Sequence, residues 1–587
     1  RAEASRPASA LVQGAVRAHR AGAGGPEEAP EDDYVVEETA QEGLTLGDSV
    51  QPHKLGPMVY SRHGRIVGEE HETYNVFMGV PFVEKPERFE AAEPKKPWAP
   101  KIYNARKFRE ACVGAGSFEP ESEDCLHLNV WVPKGGHKGM PVIVYFHGGI
   151  NQHGSGSDIF RRGDGITSSA KYPTIFINFN FRLGIFGWIS LQGSSITENL
   201  GLLDQQAALR WVQENIAAFG GDPSKVTLQG HSEGCGIILV HMVAPGSRGL
   251  FHRCVFHSPP ADFFSRHVNV DHTNFMIDNM GCKRPKAWST VRCLKRKKEA
   301  RLWHADFVSE ELSRNVGSPS FTANLLRLAN FALKSKHKGE IPGELGWHAV
   351  IDNETLFGEP RDLIRQGRFH KVPVLLVVSR NESKGVIPSS IDAGKQVALG
   401  FFLGNQTGVV EILYAKTLKN QGIQIESVSS LMDQMVTDKV WTCDIRSLAA
   451  AITTGGGRAY VGMFAHEPKY APVGTQTSPE CAYGATCHAD EMMYIMTHGL
   501  AYERKPELKG ELKFGEQYRD SVLAFVAGND TGHPWVPYNA ETQIMTFYKA
   551  NGTFQVPRYR KEQCDVLDRY MGPSLPEIMH KSASLVQ

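Results

Sequence analysis

Short apolar runs alternate with segments of helical periodicity over most of the chain. Two of these runs, Val142–Phe146 and Thr174–Asn178, have the length of buried strands. Residues 202–219 instead repeat their apolar positions at helical spacing, and Gly220 follows them as a stop signal. Such alternation is typical of an α/β protein. We expect a large, mostly parallel, twisted central sheet with helices on both faces.

A strand, a glycine turn and a helix follow one another directly at residues 225–243. The turn is Gly-His-Ser-Glu-Gly, residues 230–234, between a strand at 225–229 and an apolar helix at 237–243. A serine hydroxyl becomes a nucleophile when a base removes its proton and when it stands clear of the backbone. The glycines allow such a turn, and the helix N-terminus adds positive potential where an oxyanion would form. Ser232 is the predicted nucleophile.

The first 55 residues differ from the rest of the chain. Ala, Gly, Pro and Glu dominate them, and the acidic stretch at 27–33 has little apolar content to bury. Residues 8–20 have the spacing of one amphipathic helix, with Leu11, Val12 and Val16 on one face. We predict a low-complexity arm over 1–55, available to a protein partner, and one folded domain over 56–587.

Composition and charge exclude several classes of partner. Lys and Arg number 64 and Asp and Glu number 64, so no global field favours nucleic acid or an anionic membrane. No window approaches the roughly 18 consecutive apolar residues of a membrane-spanning helix. Phosphate-loop, zinc-helix and dinucleotide-binding motifs are absent from the sequence, so we expect no cofactor and no metal. The basic run Lys295–Lys298, with Lys283, Arg284 and Arg301, is either an anionic docking patch or, as we favour, a solvated helix face.

Cysteines and glycosylation sequons together indicate an oxidising compartment. The chain has 10 cysteines, and Asn-x-Ser/Thr occurs at Asn353, Asn381, Asn405, Asn529 and Asn551. The sequence begins at Arg1, which is expected either after removal of an export segment or in a trimmed chain. It carries no C-terminal ER-retention signal. We expect a glycoprotein that is secreted, or held in the lumen of the secretory pathway or another oxidising compartment.

Longer motifs around the serine turn carry a family resemblance. In chain order they are Val76–Phe82 with Arg88 and Phe89, Ser122–Asn129, Asn180–Gly187, Asn199–Gln206 and Phe219–Pro223. With these motifs the chain resembles the type B carboxylesterase and cholinesterase family from about residue 57 to 572. The resemblance implies the α/β-hydrolase fold for the domain over 56–587. It also implies hydrolysis of a carboxylic ester through an acyl-enzyme.

The resemblance implies a catalytic triad in the order serine, acid, histidine. Residues 372–382 resemble the strand that delivers the acid, so Glu382 takes that role beside Ser232. Residues 484–491 resemble the histidine loop, where the family carries His-x-x-Glu, so His488 is the implied base. A glycan on Asn381 would block a buried Glu382, and that sequon is therefore one in name only.

The implied oxyanion hole contains the departures from the family pattern. Its donors would be the backbone amides of Gly149, Ile150 and Glu233. Ile150 stands where a third small residue is usual, and a β-branched residue resists positive φ. Glu233 replaces alanine, and its charge opposes an oxyanion unless it points towards solvent or a cation. His231 replaces a glutamate, which we interpret as tolerated.

The resemblance further implies covalent and ionic links. The implied disulfides are Cys112–Cys125, Cys282–Cys293 and Cys443–Cys564. The implied buried ion pairs are Arg88–Glu123 and Arg182–Asp204. Cys481 and Cys487 either close a small loop beside His488 or remain thiols, and Cys235 and Cys254 are left over.

Two functions remain in competition at this point. The favoured one is a serine hydrolase of a small-molecule or lipid-like ester. It is not a cholinesterase proper, because Phe118 alone is aromatic between Cys112 and Cys125, where cholinesterases place a tryptophan for the quaternary ammonium. The rival is a catalytically weak or inactive cholinesterase-like structural, assembly or adhesion protein that binds partners through its surface and N-terminal arm. The complete triad favours the enzyme, whereas Ile150 and Glu233 favour the rival.

Overall fold

Most of the described strands of this protein belong to one large sheet. The structure is a computed structural model that describes residues 34–35, 56–259, 266–299, 302, 347–385, 407–468, 481, 485–496 and 509–571. The strands are β1 (Tyr34–Val35), β2 (Met58–Ser61), β3 (Gly64–Val67), β4 (Glu69–Glu70), β5 (Tyr74–Pro81), β6 (Ile102–Asn104), β7 (Ala111–Cys112), β8 (Glu121–Ser122), β9 (His127–Pro133), β10 (Met140–Phe146), β11 (Ile175–Phe179), β12 (Gly221–His231), β13 (Arg253–His257), β14 (Pro373–Ser379), β15 (Arg458–Phe464), β16 (Ile544–Lys549) and β17 (Gly552–Pro557).

The large sheet is mostly parallel, as the sequence predicts. Among the described residues it has 11 strands in the order β17-β16-β15-β14-β13-β12-β10-β11-β9-β5-β4. The strands from β16 to β11 in this order are all parallel to one another. Antiparallel pairs occur only towards the two edges of the sheet within the described ranges. The carboxyl ends of β10, β12 and β14 therefore meet at one edge, where a site can be assembled.

Helices lie between the consecutive strands from β10 to β16. They are α1 (Asp164–Thr167), α2 (Gly184–Trp188), α3 (Leu200–Asn215), α4 (Glu233–Val243), α5 (Arg266–Asn279), α6 (Ala287–Lys295), α7 (Pro360–Arg365), α8 (Thr407–Asn420), α9 (Val428–Thr437), α10 (Cys443–Thr454), α11 (Asp490–Met496), α12 (Lys509–Val526) and α13 (Lys561–Met571). Between α9 and α10 a π-helical turn spans Asp438–Thr442. No helix in the described ranges combines the length and the apolar character needed to cross a bilayer.

Side chains of β10 alternate between two hydrophobic cores. Val142 and Val144 lie in the core that also contains residues of α3, α4 and α10. Ile143 and Tyr145 lie in a second core, with residues of α11 and α12. Because successive side chains of a strand point to opposite faces, the sheet is covered by helices on both faces. This confirms the predicted layering.

Four disulfides link the described cysteines. Three are the pairs that the resemblance implies, Cys112–Cys125, Cys282–Cys293 and Cys443–Cys564. The fourth joins Cys481 to Cys487, which the sequence left open, while Cys235 and Cys254 are buried thiols outside these disulfides. The bond between Cys443 and Cys564 ties the start of α10 to α13 across a separation of 121 residues.

The predicted N-terminal arm lies almost wholly outside the described residues. Its two described residues, Tyr34–Val35, form β1, which pairs antiparallel with β6 at Tyr103 and Ile102. The predicted helix at 8–20 lies outside the described residues. The boundary between an arm and a domain at residue 55 stays a prediction.

Both implied ion pairs form, but they differ in how deeply their side chains are buried. Arg182 donates from Nε and Nη2 to both oxygens of Asp204, at 2.8 and 2.7 Å, and both side chains are buried. Arg88 donates to Glu123, yet these side chains keep 14% and 15% of their exposure. The prediction that both pairs are buried therefore holds fully for Arg182–Asp204 and only partly for Arg88–Glu123.

Two lysines of the predicted basic cluster have acidic partners. Lys295 pairs with Glu90, and Lys283 pairs with Asp278 at a distance of 3.2 Å. Partners of this kind favour a solvated helix face over a docking patch.

We expect Asp204→Asn to lower the free energy of unfolding by about 3–5 kcal/mol, because the substitution leaves the buried Arg182 guanidinium without a counter-charge. The matched control is Asp278→Asn, which breaks an exposed pair and should change that free energy by less than about 1 kcal/mol. Urea unfolding with intact disulfides, followed by tryptophan fluorescence, measures both. Equal losses in the two variants would contradict the structural role of the buried pair.

Candidate active site

Ser232 occupies a strained turn between β12 and α4. Its φ is 55° and its ψ is −129°, a conformation that L-residues rarely adopt. The turn is fixed on both sides, because the Ser232 amide donates to the His257 carbonyl at 2.9 Å and the Ser232 carbonyl accepts from the Cys235 amide at 2.8 Å. The side chain of Ser232 is partly exposed. The serine therefore projects from the sheet edge, as a nucleophile must.

Two glycines make this turn possible. A Cβ on Gly234 would lie 2.2 Å from the Phe146 carbonyl oxygen, and one on Gly230 would lie 2.7 Å from the Gly234 carbonyl carbon. No side chain fits at either position without moving backbone. The Gly-x-Ser-x-Gly spacing is therefore a packing requirement here.

Glu382 and His488 lie in direct contact, although 106 residues separate them in the chain. His488 Nδ1 donates to Glu382 Oε2 at 2.6 Å. Glu382 follows β14, and its other oxygen accepts from the Ser379 amide at 2.6 Å. The Glu382 side chain is fully buried, whereas that of His488 keeps 20% of its exposure. The acid thus fixes the ring orientation and leaves Nε2 for another partner.

The His488 ring lies beside the serine turn. Its centroid is 4.6 Å from that of His231, which directly precedes Ser232, and 5.6 Å from that of Trp441. Burial, followed by the neighbouring His488, lowers the pKa of His231 well below its ordinary value. His231 therefore stays neutral at physiological pH and does not add a second positive charge beside His488.

The pKa of His488 is raised above its ordinary value. Burial alone would lower it, but the charge and hydrogen bond of Glu382, with the charges of Glu491 and Asp490, more than offset burial. A base with a raised pKa takes a proton more readily.

The segment after β10 packs against the serine turn. A Cβ on Gly148 would lie 3.0 Å from Ser232 Cβ, so the two loops touch. Gly149, Ile150 and Asn151 all have positive φ, at 124°, 51° and 56°. Ile150 is thus a β-branched residue in the left-handed region, although β-branched residues disfavour positive φ. Among the described residues, the amides of Gly149, Ile150 and Glu233 donate to no protein acceptor.

The Glu233 side chain points into the protein and has partners there. It is buried, with 7% exposure. Its Oε1 accepts from Asn151 Nδ2 at 2.8 Å and lies 3.3 Å from His348 Nδ1. The sequence allowed two harmless orientations, towards solvent or towards a cation. The structure shows neither, because the side chain is buried and its closest partner is the neutral amide of Asn151.

Glu491 is a second buried carboxylate, which the His-x-x-Glu motif marked without giving it a role in the site. It accepts from Ser258 Oγ at 2.7 Å and Ser379 Oγ at 2.8 Å. Burial and the charge of Glu382 raise its pKa despite these two hydrogen bonds. The signal in the sequence that points to Glu491 is its position three residues after His488. The structure thus brings Ser232, Glu382, His488 and the implied oxyanion donors into one region, while their catalytic roles stay predictions.

Comparison with known proteins gives a consistent result. A family model described as the carboxylesterase family matches residues 56–567. The para-nitrobenzyl esterase of Bacillus subtilis is 27% identical over 515 residues, covering 83% of this chain and 93% of that protein. The crystal protein of Dictyostelium discoideum is 25% identical over 570 residues, covering 89% and 91%. The juvenile hormone esterase of Tribolium castaneum is 38% identical over 229 residues, 36% of this chain and 38% of that protein.

Solved structures show the same fold. A para-nitrobenzyl esterase structure superposes with a TM-score of 0.68 at 23% identity, covering 87% of this chain and 99% of the other. A carboxylesterase of Geobacillus stearothermophilus gives a TM-score of 0.69 at 24% identity, with the same coverage. The predicted α/β-hydrolase fold is confirmed.

Glu382→Gln should lower the pKa of His488, because glutamine keeps a hydrogen-bond acceptor but removes the charge that offsets burial. A pH titration of the ¹³C-labelled histidine rings by NMR measures it, with the His488 signal assigned from its loss in His488→Gln. Glu214→Gln, at an exposed carboxylate paired with Arg62, is the control and should leave that pKa unchanged. An unchanged or raised His488 pKa in Glu382→Gln would refute the electrostatic account.

Proposed function

The chain belongs to the carboxylesterase family and is a carboxylic ester hydrolase, and we propose that it acts through an acyl-enzyme formed on Ser232. In the first half-reaction His488 Nε2 takes the proton of Ser232 Oγ as that oxygen attacks the ester carbonyl carbon. The tetrahedral intermediate collapses, the bond to the alkoxide breaks, and His488 returns the proton to the leaving alcohol. Ser232 then carries the acyl group.

Water completes the cycle in the second half-reaction. His488 takes a proton from water as its oxygen attacks the acyl carbon, and the bond to Ser232 Oγ breaks. The proton passes back to the serine, and a carboxylic acid leaves. Glu382 stays ionised throughout and stabilises the imidazolium that forms twice.

The hydrogen bond between His488 Nδ1 and Glu382 is the observation that carries this proposal. It leaves Nε2 free on a ring that contacts the residue before Ser232. The strained φ of Ser232 supports the same role, since such strain is typical of a nucleophile held clear of the backbone.

We propose the amides of Gly149, Ile150 and Glu233 as the oxyanion donors. Their lack of protein acceptors among the described residues leaves these groups available. The helix that begins at Glu233 adds positive potential at the same place. One such donor is worth about 100- to 1000-fold in rate.

The proposed substrate is a small-molecule or lipid-like ester without a quaternary ammonium group. Phe118, the single aromatic residue of the loop between Cys112 and Cys125, is 97% exposed and so encloses no cation.

One observation favours the rival, a weakly active member of the family that serves mainly as a cholinesterase-like assembly or adhesion protein. Ile150 has a positive φ, which costs a β-branched residue free energy, and its amide is one of the groups that catalysis needs in an accurate position. The test below distinguishes the two functions.

We expect Ser232→Ala to lower the rate of hydrolysis of p-nitrophenyl acetate and butyrate by about 10⁴-fold or more, because no other group forms the acyl-enzyme. A fluorophosphonate probe should label the native chain at Ser232. Ser195→Ala, at an exposed serine, is the matched control and should retain the native rate and labelling. Equal rates in the native chain and Ser232→Ala, or no labelling of Ser232, would favour the adhesion protein.

We also propose that the protein is a secreted glycoprotein. Its four disulfides support an oxidising compartment. The sequons at Asn353, Asn529 and Asn551 are exposed, whereas Asn381 precedes the buried Glu382 and Ser383. Asn405 lies outside the described residues.

Peptide mass spectrometry after deglycosylation in ¹⁸O water should therefore find glycans at Asn353, Asn529 or Asn551 and none at Asn381, because the flanking buried residues keep that sequon from the transferase. Asn381 is the internal control. A glycan on Asn381 in the active protein would contradict the burial of Glu382.

A further inference from the structure

The strained oxyanion segment needs something to hold it. Gly149, Ile150 and Asn151 are three consecutive residues with positive φ. Glycine adopts this region freely and asparagine tolerates it, whereas isoleucine does not. Such conformations persist only where surrounding contacts over-determine them. The contacts of Asn151, the last residue of this run, are therefore candidates for holding the segment in place.

Asn151 is anchored by its side chain and by its backbone. Its Nδ2 donates to Glu233 Oε1 at 2.8 Å and to the Trp347 carbonyl at 2.7 Å, so both amide hydrogens are used. Its carbonyl accepts from the Gly184 amide at 2.8 Å. Asn151 is 3% exposed and Glu233 is 7% exposed. Bulk water therefore has little access to replace these bonds.

Glu233 belongs to both halves of the proposed oxyanion hole. Its backbone amide is one donor, directly after the nucleophile. Its carboxylate holds Asn151, which directly follows Ile150 on the segment that supplies the other two donors. One side chain thus links the serine turn to the opposing loop.

We propose that the Glu233–Asn151 hydrogen bond is a clamp that fixes the two halves of the oxyanion hole relative to each other, which makes Glu233 a positioning residue. The proposal rests on the proposed ester hydrolysis at Ser232. On this proposal the acid after the nucleophile is useful, because its hydrogen bond to Asn151 stabilises the strained segment that contains Ile150. The clamp positions the donors of the oxyanion, and the oxyanion exists only after Ser232 has attacked. Loss of the clamp should therefore lower kcat more than it changes KM.

The test compares Glu233→Ala with Glu233→Gln. Alanine keeps the backbone amide but leaves one of the two Asn151 Nδ2 hydrogens without its acceptor, so kcat should fall about 10- to 1000-fold with KM changed less than about threefold. Glutamine keeps an acceptor oxygen for Asn151 and removes only the charge, so its kcat should stay within tenfold of native or exceed it. Binding of a trifluoromethyl ketone, whose adduct with Ser232 carries an oxyanion, should weaken in Glu233→Ala in parallel with kcat. Thermal unfolding of each variant identifies a loss that comes only from stability.

Asn151→Gly removes the clamp from the other side while relieving the positive φ at that position. It should reproduce the kcat loss of Glu233→Ala, and the double variant should be no worse than the stronger single one, because both remove the same hydrogen bond. This variant keeps the test valid where Glu233→Ala does not fold.

Two outcomes would overturn the clamp: a native kcat in Glu233→Ala, or an equal loss in Glu233→Gln and Glu233→Ala, which would assign the effect to charge. Failure of ester hydrolysis itself gives a different result, since the native chain would then show no Ser232-dependent rate to compare.

Discussion

The backbone reversal at Ser232 is the constraint on which the rest of the site depends. A φ of 55° at a serine between a strand and a helix requires glycines on both sides and a close approach of the loop after β10. That approach puts Gly148 against Ser232 Cβ. The sharp turn therefore decides where the opposing loop can lie, and the histidine, the acid and the oxyanion donors are arranged around it.

Three buried carboxylates surround this turn, and each is stabilised differently. Glu382 has His488 and the Ser379 amide, Glu491 has two serine hydroxyls, and Glu233 has Asn151 with His348 nearby. Glu382 and Glu491 both favour the charged form of His488, but the two oxygens of Glu491 accept hydrogen bonds from the serine hydroxyls. Only Glu382 is thereby placed to raise the pKa of His488 through a direct hydrogen bond.

The sequence predicted the sheet and the approximate site because both are encoded locally. Apolar runs mark β10, β11 and β12, and glycine spacing marks the serine turn. The sequence could not predict where Glu233 points, because its neighbour His348 lies 115 residues away and no local pattern joins them. The positive φ of Ile150 was not predicted either, because its neighbour Asn151 is held by Glu233 and by the Trp347 carbonyl, which lie 82 and 196 residues away. The His-x-x-Glu motif marked Glu491, but its hydroxyl partners were not predicted, because Ser258 and Ser379 come from the ends of two other strands.

The disulfide between Cys443 and Cys564 has a consequence for the integrity of the molecule. His488 lies between these two cysteines, whereas Ser232 and Glu382 precede both. A protease that cut the chain once between them would not release the histidine-bearing fragment, because the bond would hold both pieces together. The nicked protein would run as one species without a reducing agent and as two with it. The disulfide therefore keeps His488 with Ser232 and Glu382 after such a cut, and without it only non-covalent packing would hold the fragments together.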